Sequence, residues 1–257
     1  MKIERFSKRV IALAFFVGAL PFLNNTRVHA RESEPVGFTY GAQARIQTSY
    51  LWRGLYCGGP NIQASANVGY GGLYFDMWWN VGVTDWSFNT FQPEVDLSLG
   101  FARWGLDIYA LYIHNFNCGM FDFGNYPDKG NRLELNARYT ISDKLPLSFR
   151  WGTRIAASDC YLNAAGDTVR AYSSYAEVSY TQQLRDGWSL YGAIGMTPWR
   201  GCYNDKGAAL QNIEMRVRKD WELDNRCGLM LQGQVCVNPM APINVILTNV
   251  AFGVYLR

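Results

Sequence analysis

The chain has 257 residues, 18% of them charged and 15% aromatic, with 25 glycines and 9 prolines. That composition excludes a disordered chain, a coiled coil and a strongly basic nucleic-acid binder. The formal net charge is +3, but residues 1–30 hold five basic residues (Lys2, Arg5, Lys8, Arg9, Arg27) and one acidic (Glu4), so residues 31–257 keep nineteen basic and twenty acidic side chains. The near balance gives no reason to expect nucleic acid or an anionic surface as a partner.

Residues 1–30 read as an export signal. A basic start is followed by an apolar run from Val10 to Leu20 and then by Val28-His29-Ala30, where small residues suit a signal peptidase. The expectation is a cleaved leader and one folded domain over residues 31–257. No later stretch approaches the ~20 apolar residues of a membrane helix, so any membrane span must be made of strands.

From Phe38 the sequence alternates with period two. Phe38, Tyr40, Ala42, Ala44, Ile46 and Tyr50 share one face, with Gln43, Arg45 and Gln47 on the other. The pattern returns from Ile62 to Tyr70 and from Leu73 to Val81, with Gly71-Gly72 as the tight turn between them. Further strands are predicted at Phe91 to Phe101, Leu106 to Phe116, Asn131 to Tyr139, Leu147 to Ala156 and Ala171 to Thr181. Four more lie at Trp188 to Thr197, Leu210 to Trp221, Gly228 to Val237 and Asn244 to Leu256, which makes twelve.

Short connections alternate with mostly longer loops (Gly54 to Pro60, Thr84 to Thr90, Asn117 to Gly130, Ala157 to Arg170, Pro198 to Gly207). An even strand count with short turns at one end and long loops at the other is the plan of an antiparallel transmembrane up-and-down β-barrel of the Gram-negative outer membrane. The last apolar-face residues before the short turns are Tyr70, Phe101, Tyr139, Tyr180 and Trp221, all aromatic, as the interfacial girdle of such a barrel requires. A soluble sandwich or lipocalin-like barrel also alternates, but explains neither the level of the aromatics nor the loop asymmetry.

Tyr50-Leu51-Trp52-Arg53-Gly54, Pro60, Gln63, Gly71-Gly72-Leu73-Tyr74 and the acidic pair Glu94 and Asp96 resemble the TorF-like family of small outer-membrane porins, over about residues 40 to 116. The resemblance implies an exported β-barrel with a pore role. The C-terminus departs from the usual barrel pattern, ending on Leu256-Arg257 where an aromatic residue is common.

The polar face carries the candidate solute path: Asp76, Glu94, Asp96 and Asp107 on the third to fifth strands, then Arg132, Arg138, Arg150 and Arg154 on the sixth and seventh. Arg216, Arg218 and Arg45 follow further round, with Glu134, Glu177 and Glu214 among or between the arginines. Facing charged walls would impose a transverse field on a narrow lumen, whereas the same groups paired across the interior would make a salt-bridged plug. Barrel width favours neither, because ~8 strands leave a filled interior and ~16 a water channel.

Beyond the leader the sole histidine is His114, placed near the rim of the fifth strand, with no serine two residues away of the kind an outer-membrane phospholipase uses. No metal or nucleotide motif is present, and no cofactor is expected. Of six cysteines, Cys57, Cys118, Cys160, Cys202 and Cys236 fall at the long-loop end, and Cys227 at the turn end. Rim disulfides, free thiols and, more remotely, a soft-metal cluster remain open. The sequence therefore points to a narrow channel for passive diffusion of small hydrophilic solutes, in contact with outer-membrane lipid. A closed structural or surface-interaction barrel is the alternative, and a lipid-modifying enzyme a third reading. Oligomeric state is not legible.

Overall fold

The computed structural model describes residues 37–83, 93–123, 130–157, 159–163, 165–205, 207–243 and 245–257. The leader expected over residues 1–30, the loop Thr84 to Thr90 and the start of the strand expected from Phe91 lie outside these residues. Twelve antiparallel strands close into one barrel. They are β1 (Phe38–Gln47), β2 (Asn61–Tyr70), β3 (Leu73–Gly82), β4 (Glu94–Arg103), β5 (Leu106–His114) and β6 (Arg132–Thr140). The ring continues with β7 (Leu147–Ala157), β8 (Ser174–Gln183), β9 (Trp188–Thr197), β10 (Ala209–Glu222), β11 (Cys227–Val237) and β12 (Ile246–Leu256). Each strand pairs with its sequence neighbours, and β1 closes on β12 through a register that sets Gln43 opposite Tyr255 and Gln47 opposite Ala251. Every strand edge is thereby paired, which hydrocarbon demands of a spanning sheet.

The barrel is inside out relative to a soluble protein. Large apolar side chains cover the exterior, including Ile62, Val68, Phe75, Leu99, Leu135, Val178, Met215, Val250 and Phe252. Polar ones fill the interior: Gln63, Asn61, Gln211, Asn212 and Glu134 are each at most 2% exposed. In water this arrangement would expose an apolar band far beyond the patches that monomeric soluble proteins tolerate, and in lipid it satisfies both faces. The period-two alternation produces it directly, because each strand sends successive side chains to opposite faces.

Of the aromatics anticipated at the strand ends, Tyr70, Tyr139, Tyr180 and Trp221 are exposed at the short-turn end and Phe101 is half-buried, and Phe38 and Trp188 join them as exposed residues at the starts of β1 and β9. Gly71-Gly72 and Trp104-Gly105 turn the chain there with positive φ at both central residues, the geometry that matches strand twist. At the opposite end the loops carry structure of their own. Tyr50–Trp52 pairs with Leu55–Gly58, and Cys160–Leu162 with Thr168–Arg170.

Two expectations are corrected. Tyr50 does not extend the apolar face of the first strand: β1 stops at Gln47, where Thr48 and Ser49 bond to Val250 and Asn249 of β12, and Tyr50 opens a separate inward hairpin. The eighth strand begins at Ser174 rather than Ala171, because Ala171 and Ser173 are held in the preceding loop by Asp159.

Candidate functional site

The hairpin Tyr50–Gly58 positions the site. It leaves the wall between β1 and β2 and crosses the lumen. At its root the Tyr50 hydroxyl donates to Glu94 of β4 at 2.6 Å, and the ring lies 5.4 Å from Trp78 of β3. At its tip Gly54 presses on β10, and its carbonyl accepts from Asn238 Nδ2 at 2.9 Å. The chain reverses at Arg53-Gly54, with φ 50° and 79°, so both central residues of this two-residue turn are left-handed. Glycine and asparagine are the residues that normally take such positions, and an arginine there is held by its surroundings rather than by preference.

Those surroundings are a buried cage for the guanidinium. Arg53 Nη1 donates to Glu134 Oε2 at 2.9 Å while Nη2 reaches Oε1, a bidentate fork on a carboxylate from the opposite wall. Asn136 Oδ1 accepts from Nη2 at 3.1 Å, and the Tyr203 hydroxyl, from the β9–β10 loop, also meets the guanidinium. The Trp52 and Tyr175 rings stack on it at 4.5 and 4.8 Å from their centroids. Gly152 of β7 makes room for this, since a Cβ there would stand 2.5 Å from Asn136 Oδ1 and 2.7 Å from Glu134 Oε1.

Several of the charges expected to line opposing walls are paired with near neighbours instead. Arg138 Nη2 lies 2.9 Å from Asp107, whose other oxygen accepts from the Tyr74 hydroxyl at 2.7 Å. Arg218 pairs with Asp220 at 2.7 Å, and Arg216 with Glu214 beneath the Tyr191 ring. Arg45 donates to Gln63 at 3.0 Å, and Arg150 to the Tyr109 hydroxyl at 2.7 Å. Asp76 faces the lumen beside Asn67 and Ser98 in the sheet register. Among the described residues Arg45, Arg132, Arg150 and Arg154 form no ion pair.

On the long-loop side of the hairpin lies a chamber of about 460 Å³. Glu94, Asp96, Arg132 and Arg154 face it from the wall, and Tyr50, Trp52 and Cys57 from the hairpin. Cys160 and Cys202, from two other loops, also line it. A second cavity of about 300 Å³ lies against the hairpin's other flank, between Leu55, Tyr203 and Ile243.

All six cysteines are free thiols in the structure. Of the three readings left open for Cys57, Cys118, Cys160, Cys202 and Cys236, the structure shows the free thiols. For Cys236, the one of these on a barrel strand, the neighbouring odd strands stand about two strand spacings, roughly 10 Å, away, beyond the ~7 Å between Cα atoms that a disulfide bridges. Cys236 is a wall residue rather than a loop residue, with Sγ 3.0 Å from Asn212 Oδ1. Cys57 lines the chamber, where its side chain is exposed. Among the described residues no cluster of His, Cys, Asp and Glu has the arrangement of a metal site.

His114 sits on the outward face of β5. Its Nδ1 meets Asn131 Oδ1, and its ring packs 4.3 Å from Phe116. The imidazole therefore points away from the chamber and the lumen charges. Sequence reasoning missed Arg53, which appeared there only as part of a motif. The available signal was Trp52-Arg53-Gly54-Leu55, two apolar residues flanking an Xaa-Gly pair, a hairpin signature obscured because the usual residue before glycine is asparagine or aspartate.

No family model matches the sequence, and no curated protein matches it. Among solved structures, an outer-membrane channel from Pseudomonas putida F1 is 12% identical with a TM-score of 0.49, over 91% of this chain and 99% of that one. The Salmonella typhi OmpF complex with daunomycin is 9% identical (TM-score 0.38, 85% of this chain, 97% of that one). The P. putida toluene transporter TodX is 10% identical (TM-score 0.36, 91% and 93%).

Proposed function

We propose that the protein is an outer-membrane channel for small hydrophilic solutes, constricted by the hairpin Tyr50–Gly58. The observation that carries this reading is the hairpin itself: an inward-folded segment, latched by Arg53 to Glu134, narrows a lumen whose walls are otherwise polar and charged. A passage of this kind selects by size at the constriction and by charge on the walls beside it. The apolar exterior and aromatic ends favour a barrel resident in the outer membrane, exported by its leader, which is then removed. The motifs Tyr50–Gly54 and Gly71–Tyr74 favour kinship with the TorF-like porins. The outward orientation of His114 and its contact with Asn131 argue against a lipid-modifying enzyme built on it.

One observation favours a closed structural barrel instead. The Arg53–Glu134 pair is almost wholly buried, its side chains 2% and 0% exposed, as befits a plug as much as a constriction. Conductance of the purified protein in planar bilayers separates the readings. The native chain is expected to give small, discrete openings. Arg53→Ala with Glu134→Ala, which removes the latch without leaving either charge unpaired, is expected to raise the unitary conductance at least about twofold. Silence from both proteins overturns the channel reading and leaves the structural one.

A further inference from the structure

We infer that the chamber above the hairpin binds a small zwitterion, a solute of amino-acid type whose carboxylate is taken by Arg132 and Arg154 and whose ammonium group is taken by Glu94 and Asp96. The inference deepens the channel reading by naming the solute class, and rests on it for its biological role.

The argument begins with Arg154. Only 5% of it is exposed, and its backbone N–H is bonded to the Ser173 carbonyl, yet among the described residues its guanidinium has no hydrogen bond and no ion pair. Its guanidinium lies 5.8 Å from the Trp52 ring centroid and 5.5 Å from that of Tyr203, contacts that fix the plane and satisfy none of its five donors. Buried charges are ordinarily paired and buried donors bonded, so a held, unpartnered guanidinium lining a chamber is a site prepared for an anion. Arg132 stands on the adjacent strand and lines the same chamber. It is tethered by one bond of 3.0 Å to Asn115 Oδ1, and its Nε has no partner. Two guanidinium groups with free N–H edges match the two oxygens of a carboxylate.

Beside Arg132 the chamber carries the complementary charge. Glu94 accepts from Tyr50 and Asn115, and the buried Oδ1 of Asp96 accepts from nothing among the described residues. Asn115 joins the two charges, since its Nδ2 donates to Glu94 while its Oδ1 accepts from Arg132. The spacing of the anionic and cationic poles is therefore set by one amide. Asp159 also lines the chamber, but its carboxylate is engaged by the backbone and hydroxyl of Ser173 and belongs to the loop. A simple anion in the chamber would also face Glu94 and Asp96, and a simple cation would also face the arginines. A molecule bearing both charges is favoured by both poles. A volume of about 460 Å³ accommodates a single amino acid and leaves Ile113 and Leu55 to contact its side chain.

The test is titration calorimetry on the full mature chain in detergent, with L-serine, glycerate, ethanolamine and glycerol as size-matched zwitterion, anion, cation and neutral probes. Saturable binding of L-serine is expected, at least about tenfold tighter than any of the other three. Arg154→Gln, and separately Glu94→Gln with Asp96→Asn, are each expected to weaken it about tenfold or more. Heat-modifiable gel migration confirms that each variant is folded, and Arg154→Lys, which keeps the charge, should recover part of the loss. Equal binding of glycerate and L-serine, or no saturable binding of L-serine by the folded native chain, overturns the inference. Binding is read without current, so the two proposals fail separately. A silent barrel that binds L-serine through Arg154 defeats the channel reading alone, and an open channel indifferent to L-serine defeats this one alone.

Discussion

Arg53 and Gly54 show how much of the interior depends on two residues that are not part of the wall. Arg53 occupies a backbone region that costs an L residue roughly 1 kcal/mol, and the bidentate bond to Glu134 with the Trp52 and Tyr175 faces holds it there. Gly54 has a stricter reason for being glycine. Its φ is 79°, and a Cβ would lie 2.1 Å from the carbonyl oxygen of Gln211, a backbone atom of β10 that cannot move aside without breaking the sheet. Gly54→Ala should therefore lift the hairpin tip from β10 while leaving the barrel intact. The expected result is native heat-modifiable migration together with a unitary conductance above that of the native chain. Native conductance in the variant would mean that the tip does not set the constriction.

The strands were the legible elements, for a physical reason: a sheet with lipid on one side and polar lumen on the other enforces alternation at every residue, so the faces of β2, β3 and β6 can be read without a partner in view. The hairpin was not legible, because Tyr50–Trp52 and Leu55–Gly58 are runs of three and four residues that do not face lipid. Tyr50, Arg53 and Gly54 of this hairpin meet Glu94, Glu134 and Gln211, and no local pattern announces contacts across that separation. For the candidate site, the sequence located the charged lumen positions but not their pairing. Arg138 with Asp107 is a neighbour-strand contact, whereas Arg154 is left without one. The faces themselves can be tested on β4, where Leu97 points outward between Met77 and Tyr112 and Ser98 points inward between Asp76 and Leu111. Leu97→Arg should cost about 2 to 4 kcal/mol of barrel stability if it lies near the bilayer midplane, and Ser98→Arg much less. Urea unfolding in lipid vesicles measures the difference, and equal losses would show that the faces are misassigned.

Across the whole molecule, charge already balanced inside the barrel should not count toward selectivity. Arg138 with Asp107, Arg216 with Glu214 and Arg218 with Asp220 are each neutral as a pair, so their fields fall off within a short distance along the lumen. Arg45, Arg132, Arg150 and Arg154, which form no ion pair among the described residues, together with Glu94 and Asp96, then set the field that a permeating ion meets. Arg150→Ala with Arg154→Ala should shift the reversal potential under a salt gradient toward cation selectivity. Glu94→Gln with Asp96→Asn should shift it toward anions. Arg138→Ala with Asp107→Ala removes as many charges as either but no net charge, and should leave the reversal potential where it is. The two shifts should be larger at 0.01 M salt than at 1 M, because the screening length contracts from about 30 to about 3 Å over that range. If the neutral pair moves selectivity as far as the unpaired arginines do, the lumen reads shape rather than charge, and the division into paired and unpaired groups has no functional meaning.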